Sequence, residues 1–120
     1  MHELSIAVRL VDIACEKAAA LGDVRVDAVH VRLGPFSGVA KEALSFCFDS
    51  AAFGSAIEGA RLEIEEVPVV AFCPRCSAER QLAGPQHLCC PVCGEATPAI
   101  LAGGELELTA LEVTDHAPHR

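Results

Sequence analysis

Residues 73–94 read CPRCSAERQLAGPQHLCCPVCG. Cys73-Pro-Arg-Cys76 and Cys90-Pro-Val-Cys93 are separated by 13 residues, giving C-x2-C-x13-C-x2-C. Two residues between cysteines make a tight turn that aims both sulfurs at one ion. Pro74 and Pro91 preset φ in those turns, and Gly94 relieves crowding after the last ligand. The pattern is that of a four-thiolate zinc site, with Cys73, Cys76, Cys90 and Cys93 as ligands. Four thiolates fill a tetrahedral shell, so such a site keeps no open position and is structural. Its net charge of −2 is expected to be screened by backbone N–H groups and by Arg75 or Arg80. Such a segment is too small to build its own core, and the metal folds it. The rest of the chain must therefore form the main body.

The composition agrees. Hydrophobic residues are 52% of the 120, with five Phe and no Trp or Tyr, so the core is aliphatic and Ala-rich. Nine basic against 17 acidic residues give a charge of −8. Phosphate binding needs a basic face, so no nucleic-acid partner is expected. No apolar run reaches the length of a membrane span. No basic stretch followed by an apolar one marks a secretory signal. A cytoplasmic protein without a membrane partner is expected, and seven cysteines in a reducing compartment argue for metal ligation over disulfides.

Working outward, residues 3–21 show helical spacing at Leu4, Ala7, Val8, Val11, Ala14, Cys15, Ala18 and Leu21, with Gly22 as the stop. Residues 24–33 read as a strand whose apolar alternation changes phase after Ala28, the mark of a bulge or of cover on both faces. GPFSG follows, with Ser37 as a candidate cap for a second helix over 38–53. Its apolar stripe is Val39, Ala43, Phe46, Cys47 and Phe53, and Gly54 ends it. RLEIEEV (61–67) and ELELTALEV (105–113) alternate as strands that could pair across the cysteine segment. The expected fold is α+β: two helices packed on a small, about three-stranded sheet, with an inserted four-cysteine zinc-knuckle or zinc-ribbon subdomain. The expected division is 1–68 plus 104–115 as body, 69–103 as zinc subdomain and 116–120 as polar tail. Pro68 and Gly103-Gly104 are the expected hinges.

The chain starts MHEL. A bulky second residue blocks removal of the initiator Met, leaving the Met1 amine, the His2 amide nitrogen and the His2 imidazole able to close two fused chelate rings. Such a planar nitrogen shell suits Ni(II) or Cu(II) better than tetrahedral zinc. Amine and imidazole must lose protons to bind, near ~8 and ~6.5, so affinity should fall in acid. Glu3 adds a carboxylate, or simply favours the helix start.

MHELSIA at the start, the strand-turn VRLGPFSGV, the paired knuckles and the closing ELELTALEV occur in an order and position that resembles the HypA/HybF family of hydrogenase maturation proteins. The resemblance covers essentially the whole chain. It implies a nickel metallochaperone, not an enzyme, that delivers Ni(II) to the [NiFe]-hydrogenase large subunit with a nickel-binding GTPase, and in some organisms serves urease. By position it implies nickel binding by Met1, His2 and Glu3, and Zn(II) on Cys73, Cys76, Cys90 and Cys93. Some members carry an acidic residue where this chain has Ala40, so that extra ligand is missing here, and Glu42 is not given its role. A monomer or weak homodimer is expected.

Plainer roles suit the remaining candidates. Cys15 and Cys47 read as buried small hydrophobes, and His30 as a satisfied core or edge histidine. His87 reads as a loop residue that is close enough to substitute as a ligand. His116 and His119 lie in the tail. Cys89 is set aside because C-P-x-C begins at Cys90, although exchange between the two stays open. The acid-rich strands read as solvated faces or a dock for a basic partner. Two rival functions share the motif: a rubredoxin-like electron carrier and a zinc-ribbon protein-binding adaptor.

Overall fold

The computed structural model describes residues 3–84, 88–97 and 99–115. Met1, His2, His87, His116 and His119 lie outside the described residues. The elements are α1 (Glu3–Leu21), β1 (Val24–Leu33), a 3-10 turn (Pro35–Ser37), α2 (Lys41–Ala52), β2 (Arg61–Glu66), β3 (Val70–Cys73), β4 (Ala78–Gln81), β5 (Ala99–Ala102) and β6 (Leu106–Asp115). The chain divides into two compact units. One holds α1, α2 and most of β1, β2 and β6; the other is Arg32–Gly38 with Glu65–Glu107.

In the first unit α1 and α2 pack together. α1 buries Ala7, Leu10, Val11, Ala14 and Ala18, a stripe of small residues that lets a neighbour approach closely. Gly22, at φ 102°, ends it. α2 buries Leu44, Phe48 and Ala52, one residue per turn. This differs from the sequence expectation. Phe46 and Phe53 are 75% and 77% exposed, and Cys15 and Cys47 are half-buried rather than buried. Ser37 does not cap α2 either. It closes the 3-10 turn, Gly38 then turns left-handed at φ 79°, and the cap position falls to Ala40. In β1 the burial phase changes where the alternation does: Ala28 and Val29 are adjacent and both fully buried.

The sheet order is β2-β1-β6. The strands that flank the cysteine segment do not pair with each other; β1 lies between them. His30 meets Glu112 at 2.5 Å, and Thr109 Oγ1 donates to the His30 carbonyl at 3.3 Å. His30 is thus a paired strand residue.

The second unit contains a second antiparallel sheet, β4-β3-β5, that the sequence pattern did not suggest. Its buried apolar group is Val69, Ala71 and Leu82. Within this unit the ends of the cysteine-bearing stretch are hydrogen-bonded to residues 33–36. Phe36 N–H donates to the Gly103 carbonyl at 2.7 Å, Gly34 N–H to that of Glu105 at 2.8 Å, and Val67 N–H to that of Leu33 at 2.8 Å. Gly103 N–H also donates to the Glu105 carboxylate at 2.8 Å. Gly34 is required here, because a Cβ on it would lie 2.1 Å from the Gly103 oxygen.

Candidate metal centre

Each cysteine pair is placed by a hairpin. Cys73 ends β3 and Cys76 lies in the turn to β4, in a ladder that pairs Cys73 with Ala78 and Phe72 with Glu79. The other pair tops a hairpin in which Cys89 bridges Ala96 and Thr97 N–H donates to the Leu88 carbonyl at 3.0 Å. Cys90 N–H donates to the Glu95 carbonyl at 2.8 Å. The residue after each pair is left-handed: Ser77 at φ 54° and Gly94 at φ 80°. The chain turns back sharply at both points, and only the second has the residue that does so without strain.

These two turns bring Cys73, Cys76, Cys90 and Cys93 together, with all four sulfurs within 4.8 Å of one another. Cys73 and Cys93 sulfurs are 3.5 Å apart, and those of Cys76 and Cys90 are 4.0 Å apart. A tetrahedron with bonds of about 2.3 Å has edges of about 3.8 Å, so the cage fits zinc. Cys73 and Cys90 are buried. Cys89 is exposed and outside the cluster, as neighbouring positions on an extended segment point to opposite sides.

The amides face the sulfurs as the spacing requires. Cys76 N–H donates to Cys73 Sγ and Val92 N–H to Cys90 Sγ, each at 3.4 Å. Without an ion the thiols compete for one negative region. Burial opposes ionisation of Cys90, but the Cys93 and Val92 amides and Arg80 outweigh it and hold the thiol down at about 6. At Cys93 the Glu95 amide favours the thiolate, but burial and the three neighbouring sulfurs push it up to about 12. A divalent cation removes that competition, since thiolates are the binding form. Of the two arginines expected to screen the cluster, Arg80 is the one whose pKa the Cys76 and Cys90 sulfurs raise above the ordinary arginine range. Arg75 is 70% exposed and lies 4.0 Å from Glu95.

At the other candidate site only Glu3 is described. Its carboxylate accepts the Ala40 N–H at 3.1 Å, which ties the first turn of α1 to the beginning of α2. Ala40 thus presents its backbone to Glu3.

The family model for hydrogenase/urease nickel incorporation metallochaperones, HypA, matches residues 1–113. The chain belongs to the HypA family. The hydrogenase maturation factor HypA of Roseiflexus sp. (strain RS-1) is 52% identical over 118 residues, covering 98% of this chain and 96% of that one. The factor of the same name from Streptomyces avermitilis is 39% identical over 120 residues, covering 99% and 92%. The solution structure of the Ni metallochaperone HypA from Helicobacter pylori superposes with a TM-score of 0.64 at 25% identity, covering 97% of this chain and 100% of that one. As a HypA-family protein the chain is a nickel metallochaperone and not an enzyme, and its four-cysteine cage suits a structural zinc ion. Among the described residues no helix is long and apolar enough to cross a membrane.

Proposed function

We propose that this chain binds Ni(II) through Met1 and His2, with Glu3 beside them, and delivers it during maturation of a [NiFe]-hydrogenase. The observation that carries this reading is the family match, which begins at residue 1 and so includes all three positions. The chemistry supports a division of labour. A few nitrogen donors at a chain end can be attacked one at a time by an incoming ligand, so the ion binds selectively and still leaves. A closed shell of four thiolates offers no such opening, so zinc on Cys73, Cys76, Cys90 and Cys93 stays and holds shape.

Glu3 has a narrower part. One of its oxygens already accepts the Ala40 N–H, so direct ligation by that oxygen would sacrifice the tie. Glu3 therefore acts as a neighbouring negative charge that favours the dication. On this reading 1–68 plus 104–115 form the nickel-binding body, 69–103 the zinc-binding subdomain and 116–120 a polar tail. The partners are a nickel-binding GTPase and the hydrogenase large subunit, urease maturation is a further destination, and the protein works in the cytoplasm as a monomer or weak homodimer.

Competitive nickel titration of the chain with its native start, against His2→Ala and a variant extended by a short tag, tests this. One Ni(II) per chain is expected, with affinity lowered at least ~10-fold in both variants. Equal uptake in all three would overturn the assignment.

A further inference from the structure

We propose that the groove beside β5 docks an extended, arginine-bearing segment of a partner protein: Phe36 and the Glu105 carboxylate take the arginine, and Ile100 and Leu101 take an aliphatic neighbour. The inference stands apart from the nickel reading.

β5 reads AILA and is an edge, since the sheet order is β4-β3-β5. The opposite edge, β4, carries Glu79 and Arg80, and charges of this kind discourage pairing with another chain. β5 carries none. Its pairing with β3 runs from Ala71–Ile100 to Val70–Ala102, so Leu101 is the extra residue of a bulge. A bulge re-aims side chains, and Ile100 and Leu101 are both exposed.

The groove has a volume of about 490 Å³ and is lined by Phe36, Ile100, Leu101, Ala102, Gly104 and Glu105. All six belong to the second unit. Gly103 fastens the two recognition groups. Its carbonyl accepts the Phe36 N–H at 2.7 Å, and its N–H donates to Glu105 Oε1 at 2.8 Å. A Cβ on Gly103 would lie 3.1 Å from the Phe36 ring, so the ring overlies the backbone closely. Phe36 is held at its backbone and its ring, yet is 41% exposed. Glu105, held below the usual carboxylate range by its own amide and that of Gly103, is ionised at neutral pH. An aromatic face and an anion fastened to one residue suit arginine, whose planar guanidinium stacks on rings and donates to carboxylates. Groups already fixed in place also lose little freedom on binding.

Charge selects the occupant. Among the described lining residues Glu105 alone is charged, and the chain carries −8. A second copy would bring the same excess of acid, whereas a cationic segment is drawn in. An extended segment also meets the outer peptide groups of β5, and main-chain pairing at a sheet edge adds affinity that a free cation does not gain.

The test pans a random heptapeptide phage library on the full chain and titrates the enriched peptides by fluorescence anisotropy. Enriched peptides are expected to carry an arginine within two residues of an aliphatic one. Phe36→Ala and Leu101→Lys are each expected to weaken binding at least ~10-fold. Leu101 is exposed, so its variant gives the reading should Phe36→Ala fail to fold. Glu105→Gln is expected to weaken binding and to flatten its salt dependence. Phe46→Ala, which removes an exposed ring of α2, is expected to match the unsubstituted chain. No enrichment, enriched peptides without arginine, or equal binding by Leu101→Lys would overturn the proposal. So would arginine amide that binds as tightly as the peptides, which assigns the groove to a small cation. A dimer in sedimentation that Leu101→Lys abolishes would assign it to a second copy and overturn the proposal as well.

Discussion

Cys73–Cys76 caps a hairpin whose strands, β3 and β4, pair over four residues, from Val70–Gln81 to Cys73–Ala78. Cys90–Cys93 caps a hairpin with, among the described residues, one bridge, Cys89 to Ala96. Both turns are built alike, with an amide aimed at the leading sulfur and a left-handed residue after the trailing one. The C-x2-C spacing therefore sets turn geometry, while the surrounding chain sets how well the turn is supported. The first knuckle belongs to a sheet, and the second is expected to lean more on the ion. Their left-handed residues run the other way, with Ser77 in the well-supported turn and Gly94 in the poorly supported one. A supported turn can carry strain that an unsupported one cannot.

Removal of zinc is the largest perturbation of this contrast. Amide exchange after chelation should show the 88–97 hairpin losing protection first, with the β3–β4 amides retained longer. Simultaneous loss in both hairpins would dissolve the distinction. Gly94→Ala forces a Cβ into the left-handed region at the weaker knuckle and should cost about 1–2 kcal/mol in chemical denaturation of the zinc-loaded protein. Ser77→Gly is its mirror. Relief of strain, partly offset by a floppier unfolded chain, should leave a gain of about 0.5–1 kcal/mol in the same measurement.

Acid acts on the root that both knuckles share. Its own amide and that of Gly103 hold the Glu105 carboxyl below the usual carboxylate range. That stabilisation is present above the unfolded-state pKa and is lost as pH falls through the lower folded value. Glu105→Gln should accordingly flatten the acid limb of a stability–pH curve without altering zinc stoichiometry. Arg75→Ala should be the smallest change, within about 0.5 kcal/mol, since exposed ion pairs contribute little.

Legibility in the sequence followed the strength of local rules. Gly22 and the spacing of Ala7, Val11, Ala14 and Ala18 marked α1 with its bounds, and the doubled burial at Ala28 and Val29 was visible as a broken alternation. The sequence misregisters α2 because its phenylalanines obscure its periodicity. Phe48 is buried, but Phe46 and Phe53 face outward, and Leu44 and Ala52 complete the buried stripe. The four sulfurs were legible because spacing and turn chemistry are short-range. β3, β4 and β5 were not, because four-residue segments such as VAFC, AERQ and AILA carry too few positions for a period to show. Arg80 could be named only as one of two arginines, since which one turns inward is set by β3–β4 register.

Leu33, Gly34 and Phe36 hold both ends of the cysteine-bearing stretch, through Val67 at its departure and Gly103 and Glu105 at its return. A segment whose ends are fastened to one short ledge has its closure entropy settled by the ledge, and added length costs little because that entropy grows only logarithmically. The ledge is thus a socket, and stretches of quite different length between residues 67 and 103 could be plugged into it without rebuilding the ledge itself.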